Sequence, residues 1–261
     1  MNLRTLVTGA NGRVGRVLRK RLAGSGLTFA SHAELDVEDP QSLRAALIGH
    51  QQIVHLATPI RANVGTREVF RKSVDMVGRI LEAARDGGLQ RVIIPSSISA
   101  LAPDQLRGSA PVTLAESRPS DTEYGRTRIE VEGMCREAAS FGLDVICIRL
   151  GMLRHPDAPS RDAMFRSHWL SHEDAASLFA TCVTAPVVPG RFSLFYAVSD
   201  LPERILDTSN PLGWTPQTKA VGLRRQVVAG LHRVNTGVRG RLRLRTRLKS
   251  LMAPRKDPSS T

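Results

Sequence analysis

The sequence predicts an α/β fold in which a parallel sheet is covered on both faces by helices. Three observations predict it. Short, almost uninterrupted apolar runs alternate with stretches of helical periodicity, the pattern of strands buried on both sides. A glycine-rich turn joins the first run to the first helical stretch. The chain has 261 residues, 41% of them hydrophobic, enough for one large domain with a sizeable core. No apolar run approaches the roughly 20 residues of a membrane-spanning helix.

The elements follow in order. Residues 3–8, LRTLVT, form an opening strand. A helix runs through Val14, Val17, Leu18, Arg21 and Leu22 and is closed by Gly24 and Gly26. Residues 27–30 are a second strand. Residues 40–48 are a helix, with Asp39 as N-cap and Pro40 in the first position, where a missing N–H costs nothing. Residues 52–57, QIVHLA, make a third strand. Residues 69–85 form a long helix with Val74, Val77, Leu81 and Ala84 on one face, ended by Gly87-Gly88. Strands at 91–94 and 144–149 flank a helix at 122–140. A helix at 172–184 and a strand at 192–199 complete the body; residues 202–217 are irregular.

The turn Thr8-Gly9-Ala10-Asn11-Gly12-Arg13-Val14-Gly15 spaces its glycines GxxGxxG. One glycine permits unusual backbone angles, a second lets the main chain approach a diphosphate, and a third permits close helix–strand packing. The helix start then offers free N–H groups and a positive dipole end to phosphate. No Gly-Lys-Ser/Thr closes the loop, so it is not a nucleoside-triphosphate cradle.

With this turn the chain resembles the extended short-chain dehydrogenase/reductases of the NAD-dependent epimerase/dehydratase type. The marks are TGANGRVG, LDV at 35–37, HLA at 55–57, PSS at 95–97, YGRTR at 124–128, RLG at 149–151 and PLGW at 211–214. The stretch FRSHWLSHEDAASLF is most similar to the uronate dehydrogenase branch. The resemblance covers residues 1–217. It implies a Rossmann-type doubly wound parallel sheet with a small C-terminal substrate-side subdomain, within a domain spanning 1–220. The implied reaction passes a hydride between a nicotinamide cofactor and a hydroxyl- or carbonyl-bearing carbon of a small, sugar-like molecule. Homo-oligomerisation is compatible with that class.

The resemblance also assigns residues. Gly9, Asn11, Gly12, Arg13, Val14 and Gly15 would surround the diphosphate, with Ser31 at the exit of the second strand. Asp36 and Val37 match the adenine contact, and Leu56, Ala57 and Thr58 would line the nicotinamide side. NAD-preferring relatives carry an acid at the end of strand two. Here that strand ends Phe29-Ala30-Ser31-His32, and Arg13 offers a guanidinium to a 2′-phosphate, so NADP(H) is favoured over NAD(H). Tyr124 would be the acid/base. Arg128 stands four residues on, where the family has lysine; it keeps the positive charge near the phenol but cannot deprotonate. Both would also border the cofactor. Ser97, chosen by strand ends, or Ser99, chosen by sequence interval, would orient the substrate oxygen.

On the substrate side, Met152 and Met164 stand where uronate dehydrogenases carry a serine and an arginine that meet the carboxylate. Ser73 and Met76 replace the Asn and Gly of the family's N-x-x-G element. Met152, Met164, Phe165 and Trp169 are candidate walls of a more apolar pocket, or ordinary core. His55 reads as a packed, hydrogen-bonded residue. No metal-ligand spacing occurs, and Cys135, Cys147 and Cys182 read as buried thiols of a reducing cytoplasm. The start MNLRTLVTGA has no leader of secretory type.

Net charge is +13. Eleven of the 37 Lys/Arg and one of the 24 acids lie within 221–261, so that tail carries +10 and residues 1–220 the remaining +3. A basic tail suits nucleic acid or an anionic membrane, or is a solvated, partly disordered appendage; it holds no aromatic residue for base stacking. Three functions stay open at this point: an enzyme, a dinucleotide sensor without turnover, and a scaffold whose tail does the binding.

Overall fold

The computed structural model describes residues 3–59 and 67–218. The chain divides into units 1–219 and 220–261, and the basic tail lies outside the described residues. Six parallel strands form one sheet: β1 (Thr5–Thr8), β2 (Leu27–Ala30), β3 (Gln52–His55), β4 (Arg91–Ser97), β5 (Asp144–Leu150) and β6 (Phe192–Ala197). Their order is β2-β1-β3-β4-β5-β6. The chain leaves β1 toward one edge, then crosses back to build β3 on the other side of β1. That reversal opens a crevice at the carboxyl ends of β1 and β3, where open α/β sheets bind ligands.

Alternation along the strands divides the core. Leu6, Ile53, Val92, Ile94, Val145 and Cys147 face one layer, with α2 (Pro40–Leu47), α3 (Arg67–Asp86) and α5 (Glu123–Ser140) packed on it. Val7, Val54, Ile93, Ile146 and Ile148 face the other, covered by α1 (Arg13–Arg21) and α7 (His172–Thr184). Successive side chains point to opposite faces, and both faces are dry, hence the unbroken apolar runs. A third cluster, Ile98, Leu101, Val112, Tyr196, Val198, Ile205 and Leu206, gathers segments after β4 and β6 into a small lobe over the carboxyl edge. Two short helices, α4 (Pro103–Arg107) and α6 (Ala163–Ser167), sit in the loops of that edge.

The helix starts follow local chemistry. Asp39 accepts from the amides of Gln41 and Ser42 at 3.0 and 3.2 Å, Thr122 from Gly125 at 3.1 Å and Ser171 from Asp174 at 2.9 Å. α1 alone among the four long helices with a described N-cap starts on a glycine, Gly12, without a side-chain cap. Several boundaries shift by one to three residues. The 91–94 strand runs on through Pro95 to Ser97, because β5 pairs with it along its whole length. The 192–199 strand ends at Ala197, and the 69–85 helix spans Arg67–Asp86. No helix among the described residues is long and apolar enough to cross a membrane.

At the amino edge of the sheet, Arg91 and Asp144 form a buried ion pair at 2.6 Å. Arg91 also donates to the carbonyls of Cys182, Ala185 and Pro186, tying the end of α7 to the strands. Removing one partner of such a pair strands a charge in the core. Asp144→Ala is therefore expected to lower unfolding free energy by about 3–5 kcal/mol in urea titrations; a loss under about 1 kcal/mol would mean that the pair is solvated.

Candidate active site

The glycine turn is held by backbone contacts that leave no room for side chains. Gly9 has φ +70°, and a Cβ there would lie 2.5 Å from the Ala57 nitrogen and 2.6 Å from the Leu56 carbonyl carbon. A Cβ on Gly15 would overlap the Gly9 carbonyl oxygen and lie 2.8 Å from Ala10. The Gly12 amide donates to the Gly9 carbonyl at 2.9 Å, closing the loop. These contacts lay the loop after β3 against the loop after β1. Asn11, Gly12 and Arg13 are exposed on the rim, Val14 is half-buried and Gly15 buried. With no cap side chain and no acid in its first turn, α1 presents bare N–H groups and a positive dipole end. A diphosphate suits this turn, because the exposed start of α1 offers unpartnered amides and carries neither a cap side chain nor an acid.

The neighbouring loops complete the crevice. Thr8 pairs in register with Ala30 and His55, so Gly9, Ser31 and Leu56 leave the sheet side by side. Leu56 and Ala57 are half-buried and Thr58 is exposed. Asp36 is used locally, accepting from the Glu38 amide at 2.9 Å, while Val37 is in the core. One residue here was missed by sequence reasoning. Glu34, three positions past Ser31, folds back so that its carboxylate accepts from the Ser31 amide at 2.7 Å. That backbone hydrogen bond, with one from the Ser31 side chain and the nearby Arg19, holds its carboxyl below the ordinary range. Only the turn geometry brings this acid to the strand exit.

His55 shares a 2.9 Å hydrogen bond with Thr8 Oγ1 through Nδ1, as its packed reading implies. Its Nε2 is buried without a partner. Burial first, and then the Arg128 charge, push its pKa down to about 4.

On the other side of the crevice, Tyr124 sits in the first turn of α5, 37% exposed. Gly125 lets that turn approach closely: a Cβ there would overlap Ser120 and the Ser99 carbonyl oxygen. The helix start is thus pressed against the turn that carries Ser97 and Ser99. Ser97 Oγ accepts from the Ser99 amide at 3.1 Å, so the two candidate serines share one turn at the end of β4. Arg128 lies one turn beyond Tyr124, buried, with its guanidinium carbon 5.2 Å from the tyrosine ring centroid. Its Nη2 donates to Ser73 Oγ of α3 at 2.8 Å. Phe70 of α3 lies 5.2 Å from the Tyr124 ring, tilted by 43°. Neither Phe70 nor the Ser73 contact was legible in sequence, since each joins residues on two helices more than fifty positions apart.

Ser97 pairs with Leu150, so the loop after β5 begins beside it. Met152 is half-buried and exchanges backbone hydrogen bonds with His168 and Leu170, next to Trp169. Trp169 is 1% exposed and is a core residue, whereas half-buried Met164 and 40% exposed Phe165 stand nearer solvent. The three cysteines are buried free thiols, and burial pushes the Cys182 thiol well up. No group of three metal-ligating side chains exists among the described residues.

The model of the NAD dependent epimerase/dehydratase family matches residues 5–172. A uronate dehydrogenase of Agrobacterium fabrum is 29% identical over 243 residues, covering 86% of this chain and 88% of that protein. An L-arabinose 1-dehydrogenase (NAD(P)(+)) of Haloferax volcanii is 27% identical over 245 residues, covering 82% of this chain and 96% of that one. The crystal structure of uronate dehydrogenase from Agrobacterium tumefaciens matches with a TM-score of 0.71 at 25% identity, over 99% of this chain and 92% of that chain.

The His55 environment makes a pH prediction. An unfolded histidine takes up a proton below about 6.5, whereas the folded one resists until about 4. The unfolded state then binds more protons, so stability falls as pH drops through that window, by about 2 to 3 kcal/mol at pH 4.5. His55→Gln is expected to lose correspondingly less stability between pH 7 and 4.5 in urea unfolding. Equal losses in parent and variant would contradict the burial assigned to this ring.

Proposed function

The chain belongs to the NAD-dependent epimerase/dehydratase family, and from that premise we propose that it is a dehydrogenase of a small, sugar-like molecule. When bound, a nicotinamide dinucleotide supplies the hydride acceptor or donor. The observation that carries this reading is the cradle at α1, where Gly9 and Gly15 exclude any Cβ and the helix start is uncapped. The substrate class is supported by relatives whose names specify L-arabinose, uronate and glucose-6-phosphate dehydrogenases.

The residues divide the work. Gly9, Gly12 and Gly15 with the first N–H groups of α1 would hold the diphosphate; Asn11, Arg13 and Val14 border it. Asp36 and the backbone of core residue Val37 would border the adenine, and Leu56, Ala57 and Thr58 the nicotinamide side. Tyr124 takes the proton from the substrate hydroxyl in oxidation and returns it in reduction. Ser97 already accepts from Ser99, which leaves its own O–H to donate to the substrate oxygen. Arg128 places a permanent positive charge beside the phenol. Met152 and Met164 would form the apolar side of the substrate pocket.

Preference between the two dinucleotides is a balance of opposite charges on one rim. Arg13 supports NADP(H), because a guanidinium pairs well with a 2′-phosphate. Glu34, fixed at the exit of β2, opposes it. Arg13→Ala is expected to weaken NADPH binding about tenfold, with NADH binding unchanged. An equal loss for both nucleotides would remove Arg13 from the 2′ position.

Two measurements test the function. Nicotinamide fluorescence should report saturable binding of at least one reduced dinucleotide. Turnover across a panel of aldoses, lactones and small alcohols should identify a substrate, and Tyr124→Phe should cut kcat about a thousandfold while leaving dinucleotide affinity intact. Failure to bind either nucleotide at millimolar concentration, or undiminished turnover in Tyr124→Phe, would overturn the reading.

A further inference from the structure

We propose that Ser73 is a positioning residue: its hydroxyl holds the Arg128 guanidinium against the Tyr124 ring, so that α3 sets where the charge of the site lies. The inference rests on the dehydrogenase reading above. Among the described residues Arg128 makes no ion pair, although the residue is only 6% exposed. The acid nearest along the same helix face is Glu132, one turn on, and both its oxygens are committed. Oε1 accepts from Ser96 Oγ at 2.7 Å and Arg149 Nε at 2.8 Å, and Oε2 accepts from Arg149 Nη2 at 2.8 Å. His55, a further titratable neighbour besides Tyr124, is uncharged near neutral pH and offers no counter-charge, since burial pushes its pKa down to about 4. Arg128 Nε is buried without any partner. The 2.8 Å hydrogen bond from Nη2 to Ser73 Oγ is thus the directional contact that orients this buried cation.

Helix periodicity explains why the contact falls there. Phe70 and Ser73 are three residues apart on α3, and Tyr124 and Arg128 four apart on α5, so each pair shares a face. The two faces meet as two matched contacts, ring on ring and hydroxyl on guanidinium. An arginine fork is planar and carries several donors, so a single acceptor on one donor constrains the orientation of the whole group. A serine is short enough to admit that fork between the helices. Without the hydroxyl the guanidinium would reorient toward water in the crevice, and the charge would leave the phenol.

The test uses the full chain in four forms, Ser73→Ala, Ser73→Thr, Arg128→Lys and the double variant Ser73→Ala/Arg128→Lys. Nitrogen-edited NMR of the protein without substrate reads the side-chain signal of Arg128, identified by its absence in Arg128→Lys. That signal is expected to be protected from exchange in the parent and Ser73→Thr, and lost or broadened in Ser73→Ala. With substrate, Ser73→Ala is expected to lower kcat about tenfold with less than about a twofold change in dinucleotide affinity. Ser73→Thr restores kcat, and in the Arg128→Lys background Ser73→Ala adds nothing further, the signature of coupled residues. An Arg128 signal unchanged in Ser73→Ala, or an equal Ser73→Ala effect in both backgrounds, overturns the proposal. Where Ser73→Ala does not fold, Ser73→Cys keeps the volume and weakens the acceptor. If the parent turns over no substrate yet Ser73→Ala loses the Arg128 signal, the dehydrogenase reading fails while the positioning stands.

Discussion

The structure depends on a backbone-to-backbone contact at the reversal of strand order. Gly9 lies against the main chain of Leu56 and Ala57, and Gly15 lies against the carbonyl of Gly9. Neither contact tolerates a Cβ. Together they fix where β1 stops, where α1 starts and how far the loop after β3 stands from both. An uncapped helix N-terminus is an unfavourable end for a surface helix, since its amides lack partners. At the mouth of a crevice the same end becomes an anion site. The sheet supplies the geometry, and the glycines let the turn, the helix start and the loop after β3 pack backbone against backbone.

A second frame aligns the opposite wall. Glu132 on α5, Arg149 on β5, Ser96 on β4 and the Tyr196 hydroxyl on β6 form a buried hydrogen-bonded chain, with Arg149 Nη1 donating to Tyr196 at 3.0 Å. Such a pair offsets a large desolvation cost and is weak evidence for net stability. Its consequence is directional: three strands and one helix are held in a single register. Tyr124 sits two turns earlier on the same helix as Glu132, and Ser97 follows Ser96 on the same strand. The network therefore fixes the helix bearing the phenol relative to the strand bearing the serine, while α3 adds Phe70 and Ser73 from the side.

Much of this was legible in sequence because it is written in local periodicity. Every strand and long helix of the body follows from apolar runs, helical spacing and caps such as Asp39-Pro40, and the family resemblance rests on short motifs spread from the first turn to residue 214. Three features were not legible for physical reasons. The run of β4 to Ser97 depends on pairing with β5, a contact across fifty residues. Glu34 reaches the exit of β2 only through the turn that follows it. The contacts of Phe70 and Ser73 depend on how two helices rotate against each other, which spacing within either helix does not specify. The ambiguity between Ser97 and Ser99 has a structural origin too, since one caps the other in a single turn.

The most direct test of the central claim is a crystal structure of the full chain with a nicotinamide dinucleotide. The account predicts the diphosphate on the amides at the start of α1, over Gly9, Gly12 and Gly15, with the nicotinamide ring beside Leu56 and Ala57 and facing the Tyr124 hydroxyl. A dinucleotide bound elsewhere, or one whose nicotinamide points away from Tyr124 and Ser97, would contradict it.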